Sequence, residues 1–260
     1  MKILLAGYYG YGNFGDELLC ETAKRILSPL TRDIKVLDRK KRKIGKVISL
    51  IKECDVLLFG GGSLLQDVTG RGFTILYYFL YYQLAKIFHK KVFFVAQGIG
   101  PVTRKLNYWL VKKTLSNADY LSVRNKESAA FLMALGIKKY KIYNDLFFAY
   151  DLPKNMRLKE KNSKKVSVVF SFRPLAKDYH KQMVRLMKRI RDGLRYIDIT
   201  VVPMQKEYDE KFLKVLKKIK GITVVKYSRD NIFKAVAGAD FVVGMRYHFL
   251  MLAAKYNIPF

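Results

Sequence analysis

Apolar and polar residues come in alternating blocks along this chain. Apolar runs at 2–6, 34–37, 55–59, 92–96, 119–123 and 140–143 predict strands. Most are separated by stretches whose apolar residues recur at helical spacing, at 16–28, 43–53, 73–88, 104–117 and 126–135. Around 151–165 the rhythm stops. The stretch DLPKNMRLKEKNSKK is polar, contains Pro153 and reads as a linker. Alternation then resumes, with strands at 166–171, 197–202, 222–226 and 240–243 and helices at 178–192, 206–219, 230–238 and 247–256. Strands alternating with helices imply parallel sheets covered on both faces. The pattern therefore predicts an α/β chain of two Rossmann-like domains, 1–152 and 166–260, joined by a linker at 153–165. A ligand is expected in the cleft between them. The final NIPF reads as the approach to a further strand, so a fragment of a longer protein is expected.

The first strand leads into GYYGYGNFGDELL, in which Gly10 to Gly15 spells GxGxxG. A strand before it, a helix after it and Asp38 at the end of the next strand suit a dinucleotide fingerprint. Two features oppose that reading. Asp38 lies nearer thirty than twenty residues past Gly10. Asp16 and Glu17 stand where a pyrophosphate would need the free N–H groups and positive end of the helix. Asp16 reads better as an N-cap.

Two more glycine-rich turns follow strands: FGGGSLLQD at 59–67 and AQGIGP at 96–101. In a parallel sheet, the loops after strands gather at the carboxyl edge, where ligands bind. Glycine lets backbone N–H groups come close to an anion. Gly61, Gly62, Ser63, Gln66, Asp67, Gln97, Gly98 and Gly100 are therefore candidate substrate-binding residues. A fourth turn, in GMRYHFLMLA, sets Arg246 and His248 two apart at a strand-to-helix junction. Arginine offers a fixed fork of donors for phosphate or carboxylate, and histidine is the usual acid or base near neutral pH. The other two histidines, His89 and His180, sit at expected helix ends.

Composition narrows the setting. The net charge is +29, from 50 Lys and Arg against 21 Asp and Glu. Such an excess suits an anionic partner (nucleic acid, an anionic membrane or phosphorylated substrates), or a lysine-rich thermophile or low-GC genome. RKKRK at 39–43 resembles a nucleic-acid patch, but no nucleic-acid-binding motif accompanies it, so no nucleic-acid partner is expected. Cys20 and Cys54 form no CxxC pair, which suggests a reducing compartment and no cysteine-based zinc site. The first residues do not make a signal peptide. The apolar run at 73–88 is too short to span a membrane.

Five stretches taken in order carry a family resemblance: GYYGYGNFGDE, GGGSLLQD, AQGIGP, SVRNKES and GMRYHFLMLA. Together they resemble the polysaccharide pyruvyl transferases, over nearly the whole chain. They are most similar to the bacterial type that pyruvylates secondary cell-wall polymers for S-layer anchoring. The resemblance implies a GT-B-like fold, two Rossmann-like domains facing a cleft. It implies transfer of a pyruvyl group from phosphoenolpyruvate to two hydroxyls of a sugar, as a cyclic ketal. The acceptor it implies is N-acetylmannosamine on a polyprenyl-diphosphate-linked glycan. Asn13 and Asp16 become polar contacts of the cleft, and no redox cofactor is implied. The family usually has Asp where this chain has Asn125, commonly has Leu at Tyr247, and continues beyond Phe260.

The residues suit that chemistry. Phosphoenolpyruvate is strongly anionic, and forming a ketal requires protonation of its CH₂ carbon. His248 is the candidate acid. Arg246 and Arg124, each just after a strand, are candidates to hold phosphate and carboxylate. No metal cluster is visible and none is needed, so metal and cofactor are both expected to be none. A lipid-linked acceptor would keep the enzyme at the anionic inner face of the cytoplasmic membrane as a peripheral protein, attracted by RKKRK and the basic helix at 180–195. The tyrosines of the helix at 73–88 could dip into that interface, although a core helix is the simpler expectation. Two competing readings are a GT-B glycosyltransferase using a nucleotide-sugar donor and a charge-driven membrane-binding protein.

Overall fold

The computed structural model describes residues 1–41, 43–68, 73–153, 156, 165–173 and 177–260, without the side chains of Lys177, Asp178 and Lys211. Most of the expected linker and Arg42 of RKKRK lie outside the described residues. The chain divides into two compact units. The first comprises Met1–Tyr11 and Asp16–Tyr150, the second Gly12–Gly15 and Asp151–Phe260. The short piece Gly12–Gly15, expected in the N-terminal domain, thus belongs with the second unit. It does so because Phe14 N donates to Met204 O at 2.8 Å, Asn13 bridges Gln205, and the Phe14 ring meets Phe233 edge-on at 5.4 Å.

The first unit alternates strand and helix as the sequence predicts. Its elements are β1 (Ile3–Ala6), α1 (Phe14–Leu27), β2 (Ile34–Leu37), α2 (Ile44–Glu53), β3 (Val56–Gly60), α3 (Thr74–Ile87), β4 (Lys91–Gln97), α4 (Lys105–Ser116), β5 (Tyr120–Val123), α5 (Lys126–Ala134) and β6 (Lys141–Ile142). The strands form one parallel sheet in the order β2-β1-β3-β4-β5-β6. Every residue of β1 and β3 is buried. Leu4 and Ala6 join the core that includes α2 and α3, while Ile3 and Leu5 face Cys20 and Ala23 of α1. The period-2 alternation of side chains thus feeds two apolar faces. Cys20 and Cys54 are free and buried, and burial pushes both thiols up to about 11.

The second unit contains β7 (Val166–Ser171), α6 (Lys177–Gly193), β8 (Ile197–Val201), α7 (Lys206–Leu216), β9 (Ile222–Val224), α8 (Arg229–Ala237), β10 (Phe241–Gly244) and α9 (Tyr247–Lys255). Its sheet is parallel, in the order β10-β7-β8-β9. Val168, Phe170 and Phe172 pack with Met187 of α6 and Phe212, Leu213 and Leu216 of α7. Each sheet has a switch point where neighbouring strands lead their helices in opposite directions: β1 and β3 in the first, β7 and β10 in the second. Two short 3₁₀ turns, Arg39–Lys41 and Leu146–Ala149, have no signature in the apolar pattern. Among the described residues, no helix is long and apolar enough to cross a membrane.

Candidate active site

In the second unit, β10 ends at Gly244 and α9 begins at Tyr247, so Arg246 takes the N-cap position and His248 the first turn. This is the carboxyl edge of the sheet at its switch point. Met245 N donates to Ser171 O at the end of β7, which ties the two strand ends together. Arg246 caps nothing with its side chain. Its Nη2 donates instead to Asp209 Oδ1, and its Nη1 to Gln205 Oε1 at 3.4 Å. The pair is nearly closed to solvent, with side chains 11% and 2% exposed. Asp209 is itself fixed, because Oδ2 accepts from Met204 N and Gln205 N, both at 2.8 Å. Burial lowers the Arg246 guanidinium below its ordinary pKa, and the charge of Asp209 opposes that shift. Arg246 Nε and Ser171 Oγ are buried with no hydrogen-bond partner among the described residues.

His248 lies against the start of α1. A Cβ built on Gly15 would stand 2.0 Å from His248 Nδ1, 2.2 Å from Cγ and 2.6 Å from Cβ. Gly15, the second glycine of GNFGDE, is therefore glycine because an imidazole occupies the side-chain position, and not because a pyrophosphate needs the backbone. The loop's own hydrogen bonds agree. Gly10 N donates to Glu17 Oε1 at 2.8 Å, so a carboxylate already holds the amide a phosphate would use. Asp38 Oδ1 accepts from Lys40 N and Lys41 N and closes the turn behind β2. The expectation that Asp16 caps α1 is corrected. The helix begins at Phe14, Asn13 Oδ1 accepts from Gly15 N at 3.1 Å, and Asp16 lies inside the first turn.

The first unit holds a second buried arginine. Arg124 follows β5, its Nη1 donating to Asp145 Oδ2 at 2.6 Å and its Nη2 to Ser63 Oγ at 2.7 Å. The side chains of Arg124 and Asp145 are 11% and 1% exposed. Asp145 also accepts from Phe147 N and caps the 3₁₀ turn at Leu146. Gly98 lies flat on the guanidinium, since a Cβ there would come within 2.6 Å of Arg124 Nε and of Ser63 Oγ. Asn125, in place of the family's usual Asp, still accepts from Ser128 N and caps α5.

The glycine turns are more structural than the sequence suggests. Gly61 N, Gly98 N and Gly100 N donate to Val95 O, Gly62 O and Leu65 O, so these amides lace the loops together and do not cradle an anion. Gln97 is fully buried, and its Nε2 donates to Phe59 O and Gly61 O, which corrects its assignment as a ligand contact. Asp67 is likewise corrected. Its carboxylate accepts from Thr103 N and Oγ1, Arg104 N and Asn107 Nδ2, and so caps α4, which has no local side-chain cap. Burial alone would raise its pKa. The hydrogen bonds from Arg104, Asn107 and Thr103 together outweigh burial and hold it down at about 2. Gln66 Oε1 accepts from Val68 N within its own turn. Gly62 stands beside Asp16, whose Oδ1 would lie 3.4 Å from a Cβ there.

Each unit therefore presents one buried arginine at a strand's carboxyl end, oriented by a buried aspartate. Sequence reading found the arginines and missed Asp145, Asp209 and Gln205. Asp145 sits in a stretch with no helical or strand period. Asp209 sits inside a helix whose many Lys and Glu residues read as solvated. No local pattern marks either.

The family model described as polysaccharide pyruvyl transferase matches residues 13–260. No match is found among the curated proteins. Among solved structures, the chain is similar to a protein from Listeria monocytogenes assigned as a UDP-N-acetylglucosamine 2-epimerase, at 13% identity and TM-score 0.63, over 100% of this chain and 78% of that one. It is also similar to the UDP-GlcNAc 2-epimerase of Methanocaldococcus jannaschii, at 14% identity and TM-score 0.59, over 100% and 82%. A third, an α-glucosyltransferase in complex with UDP and DNA, shares 9% identity at TM-score 0.55, over 97% and 77%. At these identities the likeness is one of fold, a GT-B-like chain with two parallel-sheet α/β domains.

Proposed function

The chain belongs to the polysaccharide pyruvyl transferase family, and we propose that it moves the enolpyruvyl group of phosphoenolpyruvate onto two hydroxyls of one sugar. The observation that carries this reading is the β10–α9 junction: Arg246, fixed by Asp209, two residues before His248 at the switch point of the second sheet. In this reading His248 gives a proton to the CH₂ carbon of phosphoenolpyruvate. The carbon becomes a methyl group and C2 becomes electron-poor. One sugar hydroxyl forms a C–O bond to C2, and its proton restores the imidazole. The C2–O bond to phosphate then breaks and the electron pair leaves with the phosphate. The second hydroxyl bonds to C2, its proton leaving with phosphate or water. The products are the cyclic ketal and inorganic phosphate.

Arg246 and Arg124 bind the anionic groups of the donor as charge-assisted donors. Asp209 and Asp145 orient the two guanidinium planes. In the first unit Ser63, beside Arg124, and Gly62 are the further proposed substrate contacts; in the second it is Asn13, at the start of α1. No resident cofactor is needed, since the donor carries the leaving group. The acceptor is an N-acetylmannosamine unit of a polyprenyl-diphosphate-linked cell-wall glycan precursor, met at the cytoplasmic face of the membrane. Release of inorganic phosphate from phosphoenolpyruvate, measured with a panel of lipid-linked and synthetic sugar acceptors, tests the assignment. Acceptor-dependent release supports it. Turnover with a nucleotide sugar and none with phosphoenolpyruvate overturns it in favour of glycosyl transfer, the reading that the solved structures of similar fold would favour.

A further inference from the structure

The helix at 73–88 proves two-sided. Its tyrosines are not the exposed residues: Tyr78, Tyr81 and Tyr82 are buried with Ile75, Phe79 and Ala85. The opposite stripe is apolar and open to solvent. Phe73, Leu76, Leu80 and Ile87 are all exposed, at spacings of three, four and seven residues that place them along one side of α3. The stripe continues onto α4, which packs beside α3. The Phe79 and Trp109 rings lie 6.3 Å apart, and Trp109 and Leu106, one turn apart on α4, are both exposed. A folded monomer seldom shows so many large apolar side chains on one face unless something covers it.

Charge identifies what covers it. Between Asp67 and Asp119 the chain contains eight Lys and Arg and no Asp or Glu. Lys105, Lys112 and Lys113 lie on the exposed side of α4, and Lys113 Nζ sits 4.9 Å above the Trp109 ring. Lys86 is answered by Asp119, but a second copy of this face would bring Lys105, Lys112 and Lys113 against their counterparts with no carboxylate within α3 or α4 to answer them. An anionic bilayer answers both features: the apolar stripe enters the acyl boundary while the lysines meet the headgroups. α3 covers 14 residues, which suits a helix lying in the interface and not one crossing it.

We infer that the α3–α4 face of the first unit is the surface by which this protein lies on an anionic membrane. It is a different place from RKKRK and from the basic helix α6, which show no exposed apolar stripe of this kind among their described residues. The inference does not depend on the pyruvyl-transfer reading.

Trp109 is the single tryptophan and is 51% exposed, so its fluorescence reports on this face. Phosphatidylglycerol-rich vesicles should shift its emission to the blue, and brominated acyl chains should quench it. Pure phosphatidylcholine vesicles should do neither. Leu80→Glu should lower the vesicle partition coefficient at least about tenfold, as expected for losing one buried leucine, with an unchanged melting temperature. Lys112→Glu combined with Lys113→Glu should weaken binding and flatten its salt dependence. Equal binding to neutral vesicles, or a blue shift that survives Leu80→Glu, would overturn the inference. So would a shift without lipid that grows with protein concentration alongside a doubled mass, which would assign the face to a second copy. Phosphate release with a soluble acceptor should not respond to Leu80→Glu, so the two proposals fail separately.

Discussion

The packing of His248 on Gly15 yields a test in which two physical effects predict opposite signs. Gly15 lies in the first turn of α1 at an ordinary helical φ. On helix propensity alone, Gly15→Ala should stabilise the protein by up to about 1 kcal/mol. Packing says otherwise. The new Cβ would stand 2.0 Å from His248 Nδ1 and 2.6 Å from His248 Cβ, where non-bonded heavy atoms ordinarily keep about 3.5 Å. The contact at His248 Cβ lies at the root of the side chain, so rotating the ring does not clear it. The imidazole, or the start of α9 with it, must move by about 1.5 Å, taking the ordinary separation less the one found. Overpacking of this kind costs about 1–3 kcal/mol, which cancels or exceeds the propensity gain. A catalytic group displaced by about 1 Å costs on the order of a hundredfold in rate. Gly15→Ala should therefore melt at or below the wild-type temperature and lose on the order of a hundredfold in phosphate release from phosphoenolpyruvate. In a His248→Gly background the ring and its Cβ are both gone, and the same substitution should be neutral or stabilising. The cycle should show a coupling of about 1–3 kcal/mol. A Gly15→Ala protein that melts higher than wild type and keeps its turnover would refute both the contact and the placing of His248 at the chemistry.

His248→Ala should leave the fold intact and lower turnover at least about a hundredfold, the usual size of a general-acid contribution; normal turnover in the folded variant would remove it from the proton-transfer role. Arg124→Lys and Arg246→Lys should each fall well short of wild-type activity, because a lysine cannot keep the fork that Asp145 and Asp209 orient; full activity in either would show that only charge is needed there. Asp209→Ala leaves Arg246 buried without its counter-charge and should destabilise the protein by about 3–5 kcal/mol, read as a lower melting transition; a loss under about 1 kcal/mol would show the pair to be solvent-screened. The Asp67 carboxyl is held at about 2, below its ordinary 3.8, so it stabilises the fold above pH 4 and that contribution is lost as pH falls toward 2. Asp67→Asn should therefore melt lower than wild type near neutral pH and lose that difference at the acid end; a pH-independent difference would sink the capping role.

Much of this protein is determined by its sequence alone, because the forces that set an element are local. Each apolar run long enough for a strand became one, and each helical stretch became a helix, with most ends displaced by a residue or two and α7 stopping three residues short at Leu216. The run at 140–143 shrank to the two exposed residues of β6. Parallel sheets followed from the alternation itself, and the family motifs marked the strand ends where Arg124, Arg246 and His248 stand. What only the tertiary structure decided is which polar residues are free and which are spent on the fold. Asp67 and Gln97 look like ligand contacts when read along the chain. They are consumed by Thr103, Arg104 and Asn107 and by the carbonyls of Phe59 and Gly61, partners dozens of residues away. Asp145 and Asp209 look unremarked in sequence and prove to fix both arginines. The same holds for Gly15, whose reason lies 233 positions on, at His248. Burial and hydrogen bonding are decided by whatever the folded chain brings alongside, and a one-dimensional pattern carries information only about neighbours within a turn or a strand.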